Sequence, residues 1–459
     1  MQAQQHYMKN KISYLIEKWH QIVLLIIIVL AVSVRIKAQG DPRLSIANND
    51  TASYVSSSEV QLLSWDAFTG RRLFTSNAVF QLLKPDVDYE ILVNGSLDTT
   101  KRQIQPSFVN MALLQFLFSI ISWSIFAVSI SHQLRNVFLK ILAATLILTF
   151  AFVPQIADWD SVLSSESLSF SLFALQAGLL VDLAFRFIKG TRLTLSTVIL
   201  TITWLAILFL WAFLKDAHLY GIIILMIMIS GTLISIKFRK QGLIYLILLA
   251  LTGFFLLGWR SSGESERTQI QLINVFKSDI LSDPAHVEFM QANGMPDPES
   301  TEYEQWFTTS AKNSYMRFLI FHPVYTVTNY FEDIPYAFSE NIQPYFNTQP
   351  RFVLRKSLIP VGNTLHPKSS IPMAVDFLLL LVILAIVFKT KTSESKVWGW
   401  LAMWMFLSAG SNMFINIFGD VFALPRHALI ATTTFRLFMW LFVIVLTDLS
   451  ISSRKAALS

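Results

Sequence analysis

Asp50, Tyr54, Arg71 and Arg72 lie on one polar stretch just beyond the first long apolar run, Ile22 to Val34. A carboxylate can take the proton from an attacking hydroxyl. A guanidinium can neutralise a departing phosphate. The plainer account is a solvated loop in which Asp50 caps a short helix. A second cluster, Asp158, Asp160 and Glu166, puts three carboxylates within nine residues. Such a group could bind a divalent cation or orient an acceptor. Alternatively, Ser164 or Ser165 caps a helix and Glu166 sits favourably at its positive end. A third cluster, Trp259-Arg260 through Glu264 to Arg267, reads as solvated charge.

The fourth cluster is at the end of the chain. Ser408, Asn412, Asn416 and Asp420 recur every four residues, which makes one stripe on a helix. In lipid such a stripe must face the bundle or a wet groove. Pro425-Arg426-His427 follows, and Arg436 then falls inside the last apolar run. That places it roughly 13 Å along a helix. An arginine at a helix centre costs ~2.5–3.5 kcal/mol, so Arg436 is expected to face a wet groove near the stripe, unless it snorkels to the headgroups.

The elements that must hold these residues follow from composition. Hydrophobic residues make up 53% of the 459 and charged residues only 14%, with a mean hydropathy of +0.51. A soluble domain carries about 25% charge, so this is a membrane protein. Apolar runs at about 19–34, 108–130, 137–153, 167–188, 193–213, 218–236, 243–259, 371–388, 397–418 and 428–449 predict an all-α polytopic bundle of about ten spans. With the N-terminus inside, every inner connection is basic: Arg135 and Lys140, Lys189 and Arg192, Lys237 to Lys240, and Lys389 to Lys396. This matches the positive-inside rule, so the net charge of +6 marks orientation rather than a nucleic-acid partner. The predicted layout is an inner N-terminus and first span over 1–34, a first outer loop over 35–107 and spans two to seven over 108–259. A large outer loop follows over 260–370, then spans eight to ten over 371–450 and an inner tail over 451–459. The chain has no cysteine, which excludes disulfides, thiolate metal sites and a cysteine nucleophile.

In layout and in short motifs the chain resembles the GT-C superfamily of integral-membrane glycosyltransferases, near the bacterial relatives of the protein O-mannosyltransferase and aminoarabinose-transferase group. The residues that carry the resemblance are Asp50-Thr-Ala-Ser-Tyr54, Gly70-Arg71-Arg72, Ser164-Ser165-Glu166-Ser167-Leu168, and Gly419-Asp420 followed by Arg426-His427. The resemblance implies a polyprenyl-phosphate-linked sugar donor, inversion at the anomeric carbon and an active site facing the periplasm or cell exterior of an inner (plasma) membrane protein. It also implies Asp50 as general base and Glu166 as a second acidic residue. One departure is Thr51, which stands where protein O-mannosyltransferases have a glutamate, and it argues against a protein acceptor.

On this reading Asp50 accepts the acceptor's proton, while Arg71, Arg72, Arg426 or Arg436 stabilises the leaving phosphate. Tyr54, Asp158, Asp160, Asp420 and His427 complete the expected substrate-binding set. The acceptor is a lipid, glycan or protein; no organic cofactor is expected, and a divalent cation is an open option. Two rivals stand beside this reading. A polysaccharide polymerase or lipid-linked glycan ligase would not depend on an aspartate in the first loop. A non-enzymatic flippase or transporter of lipid-linked sugars would need polar groups through the full bilayer depth.

Overall fold

In a computed structural model, the residues described are 2–85, 88, 91, 105–189, 194–265, 267–345, 353–419 and 423–458. Asp420 lies outside them. The first apolar run belongs to α1 (Gln2–Gln39), and three short helices follow, α2 (Thr51–Ser57), α3 (Asp66–Thr69) and α4 (Phe74–Leu82). The middle of the chain forms α5 (Val109–Gln133), α6 (Val137–Phe152), α7 (Pro154–Ala157), α8 (Glu166–Lys189), α9 (Leu195–Ala212), α10 (Leu219–Thr232), α11 (Ile236–Arg239) and α12 (Gly242–Glu264). The long connection contains α13 (Arg267–Val275), α14 (Pro284–Ala292), α15 (Glu302–Thr309), α16 (Ala311–Phe321), α17 (Pro323–Ala337) and α18 (Val353–Leu365). The chain then runs through α19 (Ile371–Thr390), α20 (Ser393–Gly419), α21 (Leu424–His427) and α22 (Leu429–Leu458). We call the side bearing α2–α4 and α13–α18 the loop side.

This is an all-α polytopic membrane protein. Among the described residues, eight helices are long and apolar enough to cross a membrane, and nine if α6 and the bent segment after it count as one span. The expected ten runs are all helical, but two are not simple spans. Pro154 has no N–H to continue the ladder of α6, and the axis turns by 49° there. The run expected at 218–236 contains only the 14-residue α10, because the preceding Lys215 to His218 forms a tight turn.

The seam that positions the site is the packing of α5 on α8. It is built from small residues, among them Ala127 and Ser129 on α5 and Ala174 and Ala177 on α8, all buried. Gly178 sets the closest approach: a Cβ there would stand 3.0 Å from the Cα of Phe126. Small side chains let helix backbones close up where lipid gives no hydrophobic drive. The sequence shows this seam as a serine-rich start to α8, read above as capping. On the opposite side, the Asp448 carboxylate of α22 accepts from the backbone N–H of Arg135 at 3.0 Å and of Asn136 at 2.8 Å, fixing the turn before α6.

Two apolar cores result. The larger runs through the bundle, with Trp123, Phe150, Phe213, Trp398 and Phe442 fully enclosed. The smaller joins the loop-side helices to the ends of α20 and α22, through Phe276, Met290, Phe318, Phe338, Met413 and Phe435.

Candidate active site

The first loop is docked onto the start of α8 by backbone. Ile46 N–H donates to the Ser161 carbonyl at 2.7 Å and Leu163 N–H donates to the Ile46 carbonyl at 2.9 Å, an isolated parallel bridge. The Thr51 hydroxyl donates to the Leu163 carbonyl at 2.9 Å, and Gln115 of α5 donates to the Ser164 carbonyl at 3.1 Å. Asp50 precedes α2 and is its N-cap by position, yet its carboxylate makes no capping hydrogen bond. The plainer capping account therefore fails for its side chain.

That side chain faces two arginines. Arg72 Nη2 is 3.1 Å from Asp50 Oδ1, and Arg426 Nη1 is 2.6 Å from Asp50 Oδ2. Arg426 also reaches Glu166: its Nε lies 3.0 Å from Oε1, which takes Lys215 Nζ at 3.1 Å as well. Two carboxylates from the first loop and α8 thus meet three cations from the first loop, the α9–α10 turn and α21. Burial pushes the Asp50 carboxyl up, but the Arg426 and Arg72 guanidiniums outweigh it and hold the group below the ordinary range. Burial alone would lower Arg426; Glu166, Tyr345 and Asp50 instead keep it firmly protonated. Asp50 stays 34% exposed, so it is held by ion pairs and still reachable from solvent.

Aromatic rings line this cluster. The Arg72 guanidinium stacks over Tyr54 at 4.0 Å, and Arg426 lies 5.7 Å from the Tyr345 ring centroid. Tyr54 Oη is 2.8 Å from Ser165 Oγ, and its ring stacks on Phe80 of α4. Arg72 also donates to Ser53 Oγ, at 2.9 Å from Nε. Burial raises the Tyr345 phenol to about 12. His427, beside Arg426, is pushed down to about 3 by burial and by Lys215 and Arg426, so it stands there neutral.

Several site residues read from the sequence converge: Asp50, Glu166, Tyr54, Arg72 and Arg426 form one cluster, with His427 next to it. Arg71 is exposed and forms no ion pair among the described residues, so only one of the arginine pair takes part. Asp158 and Asp160 do not join. Asp160 is paired with Arg35 of α1 and accepts from Ser167 Oγ at 2.5 Å; Asp158 is paired with Arg355 of α18. With each carboxylate held by its own guanidinium, the pair does not fit a divalent cation. Among the described residues no group of three or more His, Asp or Glu could hold a metal ion.

Arg436 also lies elsewhere. It is 1% exposed and spends its donors mainly on backbone, with Nε 3.0 Å from the Pro367 carbonyl and Nη2 3.1 Å from the Phe338 carbonyl, while Nη1 donates to the Thr432 hydroxyl at 3.3 Å. Instead of facing a wet groove, it anchors the loop-side helices. The stripe on α20 is buried too: Asn412 donates to the Ala217 carbonyl at 3.2 Å and Asn416 to the Asn412 carbonyl at 2.6 Å. Both asparagines therefore serve packing behind the Lys215 turn.

Sequence reasoning missed Lys215 and Arg267. Arg267, read as solvated charge, is only 9% exposed. It pairs with Asp216 at 3.0 Å, donates to the Phe68 carbonyl at 3.0 Å and also reaches the Gly70 carbonyl, so it clamps the turn carrying Arg72 to the turn carrying Lys215. A signal existed: Lys215-Asp216 is a charged pair in a very short connection between two apolar runs, where charge is costly unless it is used.

No family model matches this chain, and no curated protein does. Among solved structures, it is similar to the oligosaccharyltransferase AglB of the archaeon Archaeoglobus fulgidus in complex with an inhibitory peptide and a dolichol-phosphate. That match has 14% identity, covers 96% of this chain and 52% of the other, and has a TM-score of 0.44. It is also similar to the Archaeoglobus fulgidus oligosaccharyltransferase tethered by a disulfide to an acceptor peptide with the NVT sequon, at 14% identity, 94% and 50% coverage and a TM-score of 0.44. The chain spans about half the length of the solved structures it matches.

Proposed function

We propose that the chain is a membrane glycosyltransferase of GT-C type, moving a sugar from a polyprenyl-phosphate donor to an acceptor hydroxyl on the loop side, with inversion. The observation that carries this reading is Asp50 held between Arg72 and Arg426, with Glu166 and Lys215 behind them. The cluster holds one more cation than carboxylates, which suits an anionic donor group. A phosphate entering between Arg72 and Arg426 competes for the guanidiniums that now hold Asp50. As it does so, Asp50 is released to take the acceptor's proton, and the arginines take up charge on the departing phosphate. Glu166, only 2% exposed, keeps Arg426 and Lys215 aimed at the site; its role is to position them. Tyr345, only partly buried beside Arg426, offers a ring on which a sugar or prenyl phosphate can rest, while Tyr54, buried between Arg72 and Phe80, holds Arg72 in place. The loop side is the periplasmic or external face on this reading.

The deciding experiment is Asp50→Asn assayed with a polyprenyl-phosphate sugar in proteoliposomes. Asn keeps size and hydrogen bonding but cannot accept a proton. Transfer should fall by ~10²–10⁴-fold, with donor binding retained. Glu59→Gln is the control: Glu59 is exposed in the same loop and, among the described residues, pairs with exposed Lys84 at 3.6 Å, so its loss should be silent. Near wild-type transfer by Asp50→Asn would sink the base assignment and favour a ligase in which the arginines act alone. Sidedness is tested separately. Single cysteines at the exposed Gln61 and Glu299 should react with an impermeant thiol reagent in intact cells. Labelling only after lysis would reverse the topology.

A further inference from the structure

The loop-side helices carry an apolar edge that the transfer chemistry does not use. On α17, Val324 is 79% exposed, Val327 56% and Phe331 61%; at the end of α16 just before it, Ile320 is 67% exposed and Phe321 70%. Val324, Val327 and Phe331 recur at i, i+3 and i+7, so they share one face of α17. The rest of the helix is packed: Tyr325 donates to Asp279 at 2.6 Å, and Ile334 and Ala337, toward its C-terminal end, are buried. A patch of this kind on a protein marks a contact surface.

Two anchors fix its depth. The Tyr330 ring of α17 lies 5.9 Å from Phe414 of α20, five residues before that helix ends at Gly419 and so roughly 7 Å below its end. At the C-terminal end of α17, the Phe338 carbonyl accepts from Arg436, seven residues into α22 and so roughly 10 Å along it. α17 therefore lies beside the loop-side ends of two spanning helices. Phe414 is itself 37% exposed, and Phe377 of α19 is 51% exposed, so the edge of α17 continues the exposed apolar surface of the spans. Glu332, exposed at the margin of the stripe, marks where that surface meets water.

We propose that the edge formed by the end of α16 and by α17 is a monotopic insertion seated in the lipid leaflet on the loop side, at the boundary of headgroups and acyl chains. An amphipathic helix in that position buries its apolar face by ~5–10 Å. α17 packs against α21, which carries Arg426, so the insertion holds this arginine at a fixed height relative to the headgroups. The inference depends on the bundle being embedded in a membrane and not on the transfer reaction.

The chain has no cysteine, so single spin labels can be placed directly. V324C, V327C and F331C, each labelled in phosphatidylethanolamine–phosphatidylglycerol proteoliposomes, are compared with F414C as a lipid-facing standard and E299C as a water-facing one. Collision with oxygen should exceed collision with a neutral nickel chelate several-fold at all three α17 positions, as at Phe414. A nickel-dominated ratio like that at Glu299 would overturn the insertion. So would a label shielded from both probes, which would mean that protein covers this edge. The three positions are independent, so failure of one variant to fold leaves two readings.

Discussion

Two of the paired-charge groups on the loop side, one around Asp50 and one around Asp160, differ in how far they are closed to water. Around Asp50 the partners remain 15–34% exposed: Asp50 34%, Arg72 22% and Arg426 15%. Around Asp160 they are sealed, with Arg35 at 0% and Asp160 at 2%. Arg35 also stacks over Phe116 at 5.0 Å and Phe152 at 4.6 Å. A sealed pair cannot trade partners, because parting the charges leaves one of them buried and uncompensated. A half-open cluster can exchange a carboxylate for an incoming anion at modest cost. The first set is therefore suited to binding and turnover, and the second to holding α1 against the turn before α8.

The largest expected contrast follows from this difference. Asp50→Asn should lose transfer by ~10²–10⁴-fold while melting close to the parent. Asp160→Asn should behave in the opposite way. It should destabilise by ~3–5 kcal/mol, the usual cost of orphaning a buried partner, yet the fraction that folds should retain most of its activity. Thermal unfolding in detergent, read beside the transfer assay, separates the two. If Asp160→Asn melted like the parent and lost transfer, the comparison would fail and Asp160 would move into the site. Replacing both members, as in Arg35→Met with Asp160→Leu, should recover much of the lost stability, because a buried pair is often matched by apolar groups of similar volume.

Both sets were visible as residue types in the sequence, but not their division of labour. The helical architecture was legible because periodicity and hydropathy are local: each apolar run became a helix. The spans that departed from the expectation did so at Pro154 and at the Lys215 turn, where short-range chemistry interrupts a run. Asp50, Glu166 and Arg426 were legible as candidates because charged groups at the ends of apolar runs are few. Their partners were not, since Arg72 to Asp50 is a loop contact and Arg426 to Glu166 joins residues 260 apart. Asp158 and Asp160 misled for the same reason. Sequence shows the carboxylates side by side, while the arginines that neutralise them come from α1 and α18.

Arg436 sharpens the comparison next. It is buried like Arg35 but has carbonyls for partners instead of a carboxylate. Arg436→Leu should leave the Phe338 and Pro367 carbonyls without their donor, at ~1–3 kcal/mol for the buried groups. The loss should appear locally, as faster limited proteolysis in residues 323–345 before global unfolding. Arg436→Lys should recover part of it, since an ammonium can still donate but lacks the planar fork. Unchanged proteolysis in Arg436→Leu would remove its anchoring role.

A pH effect, small near neutrality and growing only as acid is added, also separates a closed group from an open one. His366 lies between α18 and α19, is 1% exposed, and sits with Nε2 2.9 Å from the Phe150 carbonyl. Nε2–H is the donor in that contact, so a second proton must go onto Nδ1, which is buried with no hydrogen-bond partner among the described residues. Burial, with Arg436 nearby, pushes the ring down to about 3 from its ordinary 6.5. Between those values the unfolded chain binds a proton that the folded chain does not. The contribution of His366 is therefore complete above about pH 6.5 and is lost as pH falls toward 3, at about 1.4 kcal/mol for each unit. Asp50 acts in a separate window: its depressed carboxyl contributes above the ordinary carboxylate value and loses that contribution only under stronger acid. The melting temperature should thus be flat above neutrality and slope downward between pH 6.5 and 4.5, with His366→Gln making the slope shallower while His427 keeps its own share. If His366→Gln melted with the parent's full pH dependence, the acid sensitivity would belong to another group, with His427 beside the Asp50 cluster the first to test.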